Sequence, residues 1–121
     1  CRDGRAHLND PLPITVGNPR CIFRAACTAA LANIDRQWRA VVDNGNMLSV
    51  YAALEADLAV TPLMASTVPE GLVVLRPESG LPPLPPFNVN LYLPKAGASD
   101  AGLEFAKHIR EQFKARYRHA A

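Results

Sequence analysis

The chain has 121 residues, enough for one domain with its own core and too few for two ordinary domains. Apolar residues make up 49% and charged residues 20%, with a net charge of +2, which excludes a disordered chain and a strongly basic nucleic-acid-binding protein. No apolar run approaches the roughly 18 residues of a membrane span, so we expect a single soluble unit.

The three cysteines, Cys1, Cys21 and Cys27, are unevenly spaced and form no disulfide framework. Such cysteine usage suits a reducing compartment, and we therefore expect a cytoplasmic protein. The chain begins at Cys1 rather than at a methionine, which leads us to expect a piece of a longer protein.

Residues 1–12 are polar and rich in turn formers, and they indicate a connector that enters the first strand. A short apolar run, residues 13–16, predicts that strand. Gly17 can adopt φ > 0 and predicts a turn, Asn18 is a favoured N-cap, and Pro19 suits the first position of a helix. We therefore predict strand, turn and helix start within about ten residues.

The same order of elements recurs along the rest of the chain. Asn46 is predicted to cap a second helix after the turn at Asn44 and Gly45, and Ser99 is predicted to cap the last helix. Alternating strands and helices favour a parallel sheet with right-handed crossovers. We predict an α/β fold with a mostly parallel sheet of about five strands and flanking helices. The predicted strands are 13–16, 38–42, 58–63, 72–75 and 87–93, and the predicted helices start near 19, 46 and 99, the last ending at 119.

Free backbone N–H groups at the start of the first two helices are the strongest functional signal. If their strands are neighbours, the turns at residues 17–23 and 44–47 face one crevice, where small anions and polar ligands tend to bind. The alternative is that both helix caps serve only the fold. Cys21 lies in the first predicted helical turn, where thiols are often reactive. A redox sensor that uses Cys21 is therefore a second alternative function. The simpler interpretation is that the Cys21 side chain only packs within the fold.

Other chemistry finds little support in the residue pattern. His7, His108 and His119 have no metal-ligand spacing, so we predict no metal. No histidine is placed beside a candidate nucleophile, and no glycine-rich phosphate motif follows Gly17, so we predict no enzyme activity and no cofactor. Basic residues in the last turns of the last helix are explained by the helix dipole, which favours cations at its C-terminal end. A nucleic-acid contact is the alternative explanation for these residues.

Several short segments in order resemble the effector-binding domain of LysR-type transcriptional regulators. The resemblance covers nearly the whole chain and implies one lobe, residues 13–94, of a two-lobed fold of the type 2 periplasmic-binding-protein kind, followed by a closing helix at 99–119. The segments that carry it are residues 11–16, 21–24, 38–41, 52–56, 68–72, 81–85 and 90–92.

The resemblance implies a small-molecule effector, often an organic anion, that binds between two lobes and biases the oligomer and DNA-bending state of the regulator. DNA would be bound by an N-terminal winged helix-turn-helix that this chain does not include. Asp57 stands where relatives usually have glycine, and Pro62 lies one position earlier than the usual proline. The predicted effector-binding residues are Gly17, Asn18, Cys21, Ile22, Phe23, Asn46, Met47 and Thr61.

Two expectations follow from having one lobe. Half a cleft encloses little of a ligand, so the chain alone should bind effectors weakly or not at all. The apolar stripe of the last helix, which includes Leu103, Ile109 and Phe113, would lack the first lobe as its packing surface, so we expect a homo-oligomer or a mobile helix. A dimerisation or structural module without a ligand remains an alternative.

Overall fold

The computed structural model describes residues 1–94 and 96–117, except for the side chains of residues 116 and 117. By residue contacts the chain divides into two units, Cys1–Pro86 and Phe87–Ala121. The first unit holds β1 (Leu12–Val16), α1 (Ile22–Ala32), β2 (Trp38–Asp43), α2 (Met47–Glu55) and the 3-10 turns Ala6–Leu8, Ala65–Thr67 and Pro77–Ser79, and the second holds α3 (Asp100–Tyr117).

β1 is the centre of the first unit. All five of its residues are buried, as expected for a strand covered on both faces. β2 pairs with it in parallel, from Leu12 opposite Trp38 to Val16 opposite Asp43. Along its other edge, Val60 forms a single parallel bridge with Ile14. The chain thus leaves β1 for β2 on one side and returns to the opposite side of β1.

The predicted sheet of about five strands is wrong, because the described residues form a two-stranded parallel sheet, although the α/β class holds. Residues 58–63 contribute the bridge at Val60, and residues 72–75 and 87–93 are irregular. Prolines crowd this part of the chain between Pro77 and Pro86 and cannot donate to a strand ladder. These segments contain apolar residues, but apolar residues alone do not supply a strand with a pairing partner.

α1 begins later than the predicted start at Pro19. The N–H of Arg20 donates to Asn18 Oδ1 at 2.8 Å, and the N–H of Cys21 donates to the Asn18 carbonyl at 2.9 Å. Asn18 therefore stabilises a turn that precedes the helix, and Cys21 is the N-cap residue. Further along α1, Cys27 and Leu31 pack in the core cluster that includes the β1 residues Leu12, Ile14 and Val16.

The start of α2 matches the prediction, and its end depends on a left-handed residue that is not glycine. The cap is confirmed, since Asn46 Oδ1 accepts from the N–H of Ser49 at 3.0 Å. The helix ends where Asp57 adopts a left-handed conformation with φ of 50°, and the N–H of Leu58 donates to the carbonyl of Ala53 at 2.9 Å. Within α2, Val50 and Leu54 are buried, whereas Met47 at its start and Leu58 just after its end are exposed.

Ser99 caps α3 as predicted, because its Oγ accepts from the N–H of Gly102 at 3.2 Å. Residues 118 and 119 of the predicted 99–119 helix lie outside the described residues. In the part of the chain that the structure describes, no helix is both long enough and apolar enough to span a membrane.

Candidate functional site

The turns that follow β1 and β2 lie side by side at the carboxyl edge of the sheet. Val16 and Asp43 are register partners at the ends of the two strands. Just beyond them, the N–H of Asn44 donates to the carbonyl of Val16 at 3.0 Å. The structure therefore brings together the two turns that the sequence singled out, because parallel pairing aligns the carboxyl ends of neighbouring strands.

Arg24 links the two turns. Its Nη1 donates to the carbonyl of Gly17 at 2.9 Å and forms an ion pair with Asp43 Oδ1 at 2.5 Å, with 22% of its side chain exposed. The guanidinium thus occupies part of the space between the turns. Sequence analysis did not include Arg24 in the site, since its role depends on where β2 places Asp43.

The two helix N-termini at this edge differ in how they are capped. Asn46 satisfies an N–H of α2 with its side chain, whereas Cys21 makes no side-chain capping hydrogen bond at the start of α1. First-turn N–H groups have no partner within their own helix, and together they carry partial positive charge. The start of α1, with the Arg24 guanidinium beside it, is therefore better suited to an anion than the start of α2.

Gly17 meets a requirement different from the one the sequence suggested. Its φ is not positive, so the turn does not depend on the left-handed conformation. A Cβ at this position would lie 2.9 Å from Cys21 Cβ and 3.0 Å from Cys21 Sγ. Glycine is needed here because Cys21 approaches the backbone closely, which also places the Cys21 side chain against the turn.

Thr61 lies on the opposite side of β1 from the turn after β2. Its hydroxyl donates to the carbonyl of Thr15 at 3.4 Å, close to the carboxyl end of β1. In open parallel sheets, ligands bind beyond the strand ends where the connections diverge to opposite sides, which here is beside β1. Around this point the predicted residues differ in exposure. Asn18, Ile22, Asn46 and Met47 are exposed, while Gly17, Cys21, Phe23 and Thr61 are half-buried.

The cysteines are all free and differ in burial. Cys1 and Cys27 are buried, and Cys21 is half-buried. Burial raises the pKa of the Cys27 thiol, because desolvation disfavours the thiolate. Among residues 1–94 and 96–117, no three histidine, cysteine, aspartate or glutamate side chains are grouped to hold a metal ion.

Comparison with known proteins gives a match to a transcriptional regulator. The chain is similar to a helix-turn-helix transcriptional regulator. That protein is the HTH-type transcriptional regulator DgdR of Burkholderia cepacia, with 28% identity over 105 residues. The match covers 87% of this chain and 35% of the relative, so the chain spans about a third of the length of that protein. No protein-family model and no solved structure matches the chain.

Proposed function

We propose that the chain is part of the effector-sensing region of a LysR-type transcriptional regulator in the cytoplasm, and that it is not an enzyme. The matched protein is named as a transcriptional regulator, and the match extends over most of this chain. The parallel strands with helices that begin at their carboxyl ends agree with a lobe that contributes one wall of a ligand cleft.

In this proposal the ligand is a small organic anion at the carboxyl edge of the sheet. The observation that carries it is the start of α1, where Cys21 provides no side-chain cap and Arg24 lies one turn into the helix. An anion there would accept from backbone N–H groups and compete with Asp43 for the guanidinium. Asn18 and Thr61 would flank the anion from either side of the β1 end.

The lobe alone supplies too little binding free energy for a tight complex. A helix N-terminus contributes at most about 2 kcal/mol in a partly buried site. Micromolar affinity requires about 8 kcal/mol, and most of it comes from enclosure between two walls. In the complete regulator the second wall would be the other lobe, and ligand binding would change the oligomer that holds DNA through a separate helix-turn-helix.

We expect succinate, used as the carboxylate probe, to bind the 121-residue chain no tighter than millimolar and to shift the backbone amide NMR signal of Ile22, the first residue of α1. Arg24→Gln should weaken this shift, because it removes the cation next to the helix start. Arg39→Gln is the matched control, since Arg39 is exposed on β2 opposite Pro13, at the far end of the strand.

Two results would count against the proposal. If succinate shifts no amide at the carboxyl edge at constant ionic strength, or shifts it equally in Arg24→Gln, the anion does not bind there. If the isolated chain binds succinate with micromolar affinity, the lobe does not need a second wall.

A further inference from the structure

The turn between β2 and α2 is built on Asn44 and Gly45, and both residues are exposed. Asn44 adopts the left-handed conformation with φ of 55°. Besides glycine, asparagine and aspartate are the residues that adopt this conformation most readily. A Cβ at Gly45 would overlap Val42 Cγ1, so only glycine fits there without a shift. The turn therefore favours a short polar side chain at position 44 and requires glycine at position 45.

The groups on either side of the bond between Asn44 and Gly45 are free. The N–H of Asn44 donates to the carbonyl of Val16 at 3.0 Å. In contrast, neither the side-chain amide of Asn44 nor the N–H of Gly45 has a hydrogen-bond partner among the described residues. Two positions further on, Asn46 Oδ1 is held by the N–H of Ser49. The Asn44 side chain can thus rotate, whereas the Asn46 side chain is fixed by its role as a helix cap.

An asparagine side chain can lose its amide group without an enzyme when the next backbone nitrogen reaches its carbonyl carbon. The Gly45 nitrogen would attack Asn44 Cγ and give up its proton, and Nδ2 would leave as ammonia, which closes a succinimide ring. Water would then open the ring at either carbonyl, to give aspartate or isoaspartate. Glycine favours the first step, because it has no side chain to crowd the attacking nitrogen. Ring closure requires rotation about the Asn44 Cα–C bond, and no hydrogen bond of the Gly45 N–H has to break for it.

We propose that Asn44 is a site of spontaneous deamidation in the folded chain. The reaction replaces a neutral amide with a carboxylate directly after Asp43, at the carboxyl edge of the sheet. The isoaspartate product also adds one carbon atom to the backbone between residues 44 and 45, and so it alters the spacing between β2 and the Asn46 cap. This chemistry does not depend on the regulator function proposed above.

Incubation of the 121-residue chain in a mildly alkaline buffer, below its Tm, tests the proposal. We expect Asn44 to lose its amide before the other asparagines, as mass spectrometry of tryptic peptides would show. An isoaspartyl methyltransferase should methylate the aged chain and not the fresh chain. The conversion should be faster at higher pH, because the attacking nitrogen has to lose its proton.

Two exposed asparagines serve as internal controls for the attacking nitrogen. Asn18 is followed by Pro19, whose nitrogen carries no hydrogen and cannot close the neutral ring. Asn33 is followed by Ile34, whose β-branched side chain crowds the nitrogen. Both residues should keep their amide groups over the time in which Asn44 loses its own. Asn46 controls for side-chain freedom, since it lies in the same turn with its side chain bound, and it should also remain intact.

Two variants separate the added charge from the altered backbone. Asn44→Asp supplies the aspartate product directly and should lower the Tm only slightly when fresh, because aspartate tolerates φ > 0. The aged chain, in which isoaspartate lengthens the turn, should have a lower Tm than fresh Asn44→Asp. Asn44→Gln should stay unmodified at position 44, because its longer side chain would have to close a less favourable six-membered ring.

The proposal is overturned if Asn44 in the folded chain keeps its amide as long as Asn18 and Asn33 do. Conversion of Asn44 only after unfolding in urea would also overturn it, since the native turn would then protect the residue. Equal loss of the amide at Asn46 would contradict the importance of a free side chain.

Discussion

At the scale of single residues, the carboxyl edge of the sheet depends on close contacts more than on special backbone angles. Gly17 leaves room for Cys21, and Arg24 joins the Gly17 carbonyl to Asp43. The turn, the helix cap and the end of β2 are therefore linked through a few atoms. A substitution at Gly17 should therefore disturb the turn, the start of α1 and the end of β2 together, because these contacts connect them.

We expect Gly17→Ala to destabilise the fold by about 1 to 3 kcal/mol, the usual cost of forcing extra volume into a packed position. Denaturation in urea would measure the change in the free energy of unfolding. Gly102→Ala in α3 is the control and should cost less than Gly17→Ala. Its φ is not positive, alanine favours helices, and the new Cβ would lie 3.3 Å from Ser99 Oγ, farther than the 2.9 and 3.0 Å contacts at Gly17.

A companion variant tests the cause. Cys21→Gly removes both atoms that would meet the new methyl group, so the cost of Gly17→Ala should be smaller in the Cys21→Gly background. If Gly17→Ala costs the same in both backgrounds, the contact with Cys21 is not the reason that glycine is needed.

At the scale of elements, α2 is defined by its two ends. Asn46 caps the start, and at the other end Asp57 adopts the left-handed conformation that usually requires glycine. The Asp57 carboxylate compensates by accepting from the backbone N–H groups of Asp3 and Arg5 at 3.3 and 3.2 Å. Asp57 thus connects the end of α2 to the start of the chain.

Asp57→Ala should destabilise the fold by about 2 kcal/mol, because alanine disfavours φ > 0 and cannot replace the carboxylate. Asp57→Gly should cost about 1 kcal/mol less than Asp57→Ala, because glycine tolerates this backbone conformation while it also loses the two hydrogen bonds. Urea denaturation of the three proteins would measure both values. Equal stability of the alanine and glycine variants would mean that the backbone conformation contributes nothing.

At the scale of the whole molecule, the first unit has one buried strand at its centre and the second unit contains an amphipathic helix. Within α3, Leu103 is 48% exposed and Phe113 is 43% exposed, although both belong to the predicted apolar stripe. Partial exposure of large apolar side chains favours association with another surface.

We expect the 121-residue chain to self-associate at high concentration, and light scattering combined with size-exclusion chromatography would measure its mass. Leu103→Lys should reduce the self-association, since it places a charge in the stripe. Gln112→Lys is a control at another exposed position of α3. A monomer at all concentrations, with α3 protected from hydrogen exchange, would contradict this expectation.

The sequence alone predicted the elements that local signals define. The β-branched runs located β1 and β2, and the Asn46 and Ser99 caps located the starts of α2 and α3. These predictions succeeded because cap hydrogen bonds and strand propensity involve residues close together in the chain. The effector-binding residues remain a prediction, although the turns that carry most of them are neighbours.

Tertiary structure alone decided what depends on partners distant in the sequence. The sheet has two strands instead of about five, because residues 72–75 and 87–93 do not pair continuously with another strand. Tertiary structure also placed Arg24 between Gly17 and Asp43. Pairing and packing require two surfaces to meet, and one stretch of sequence specifies only its own side of that contact.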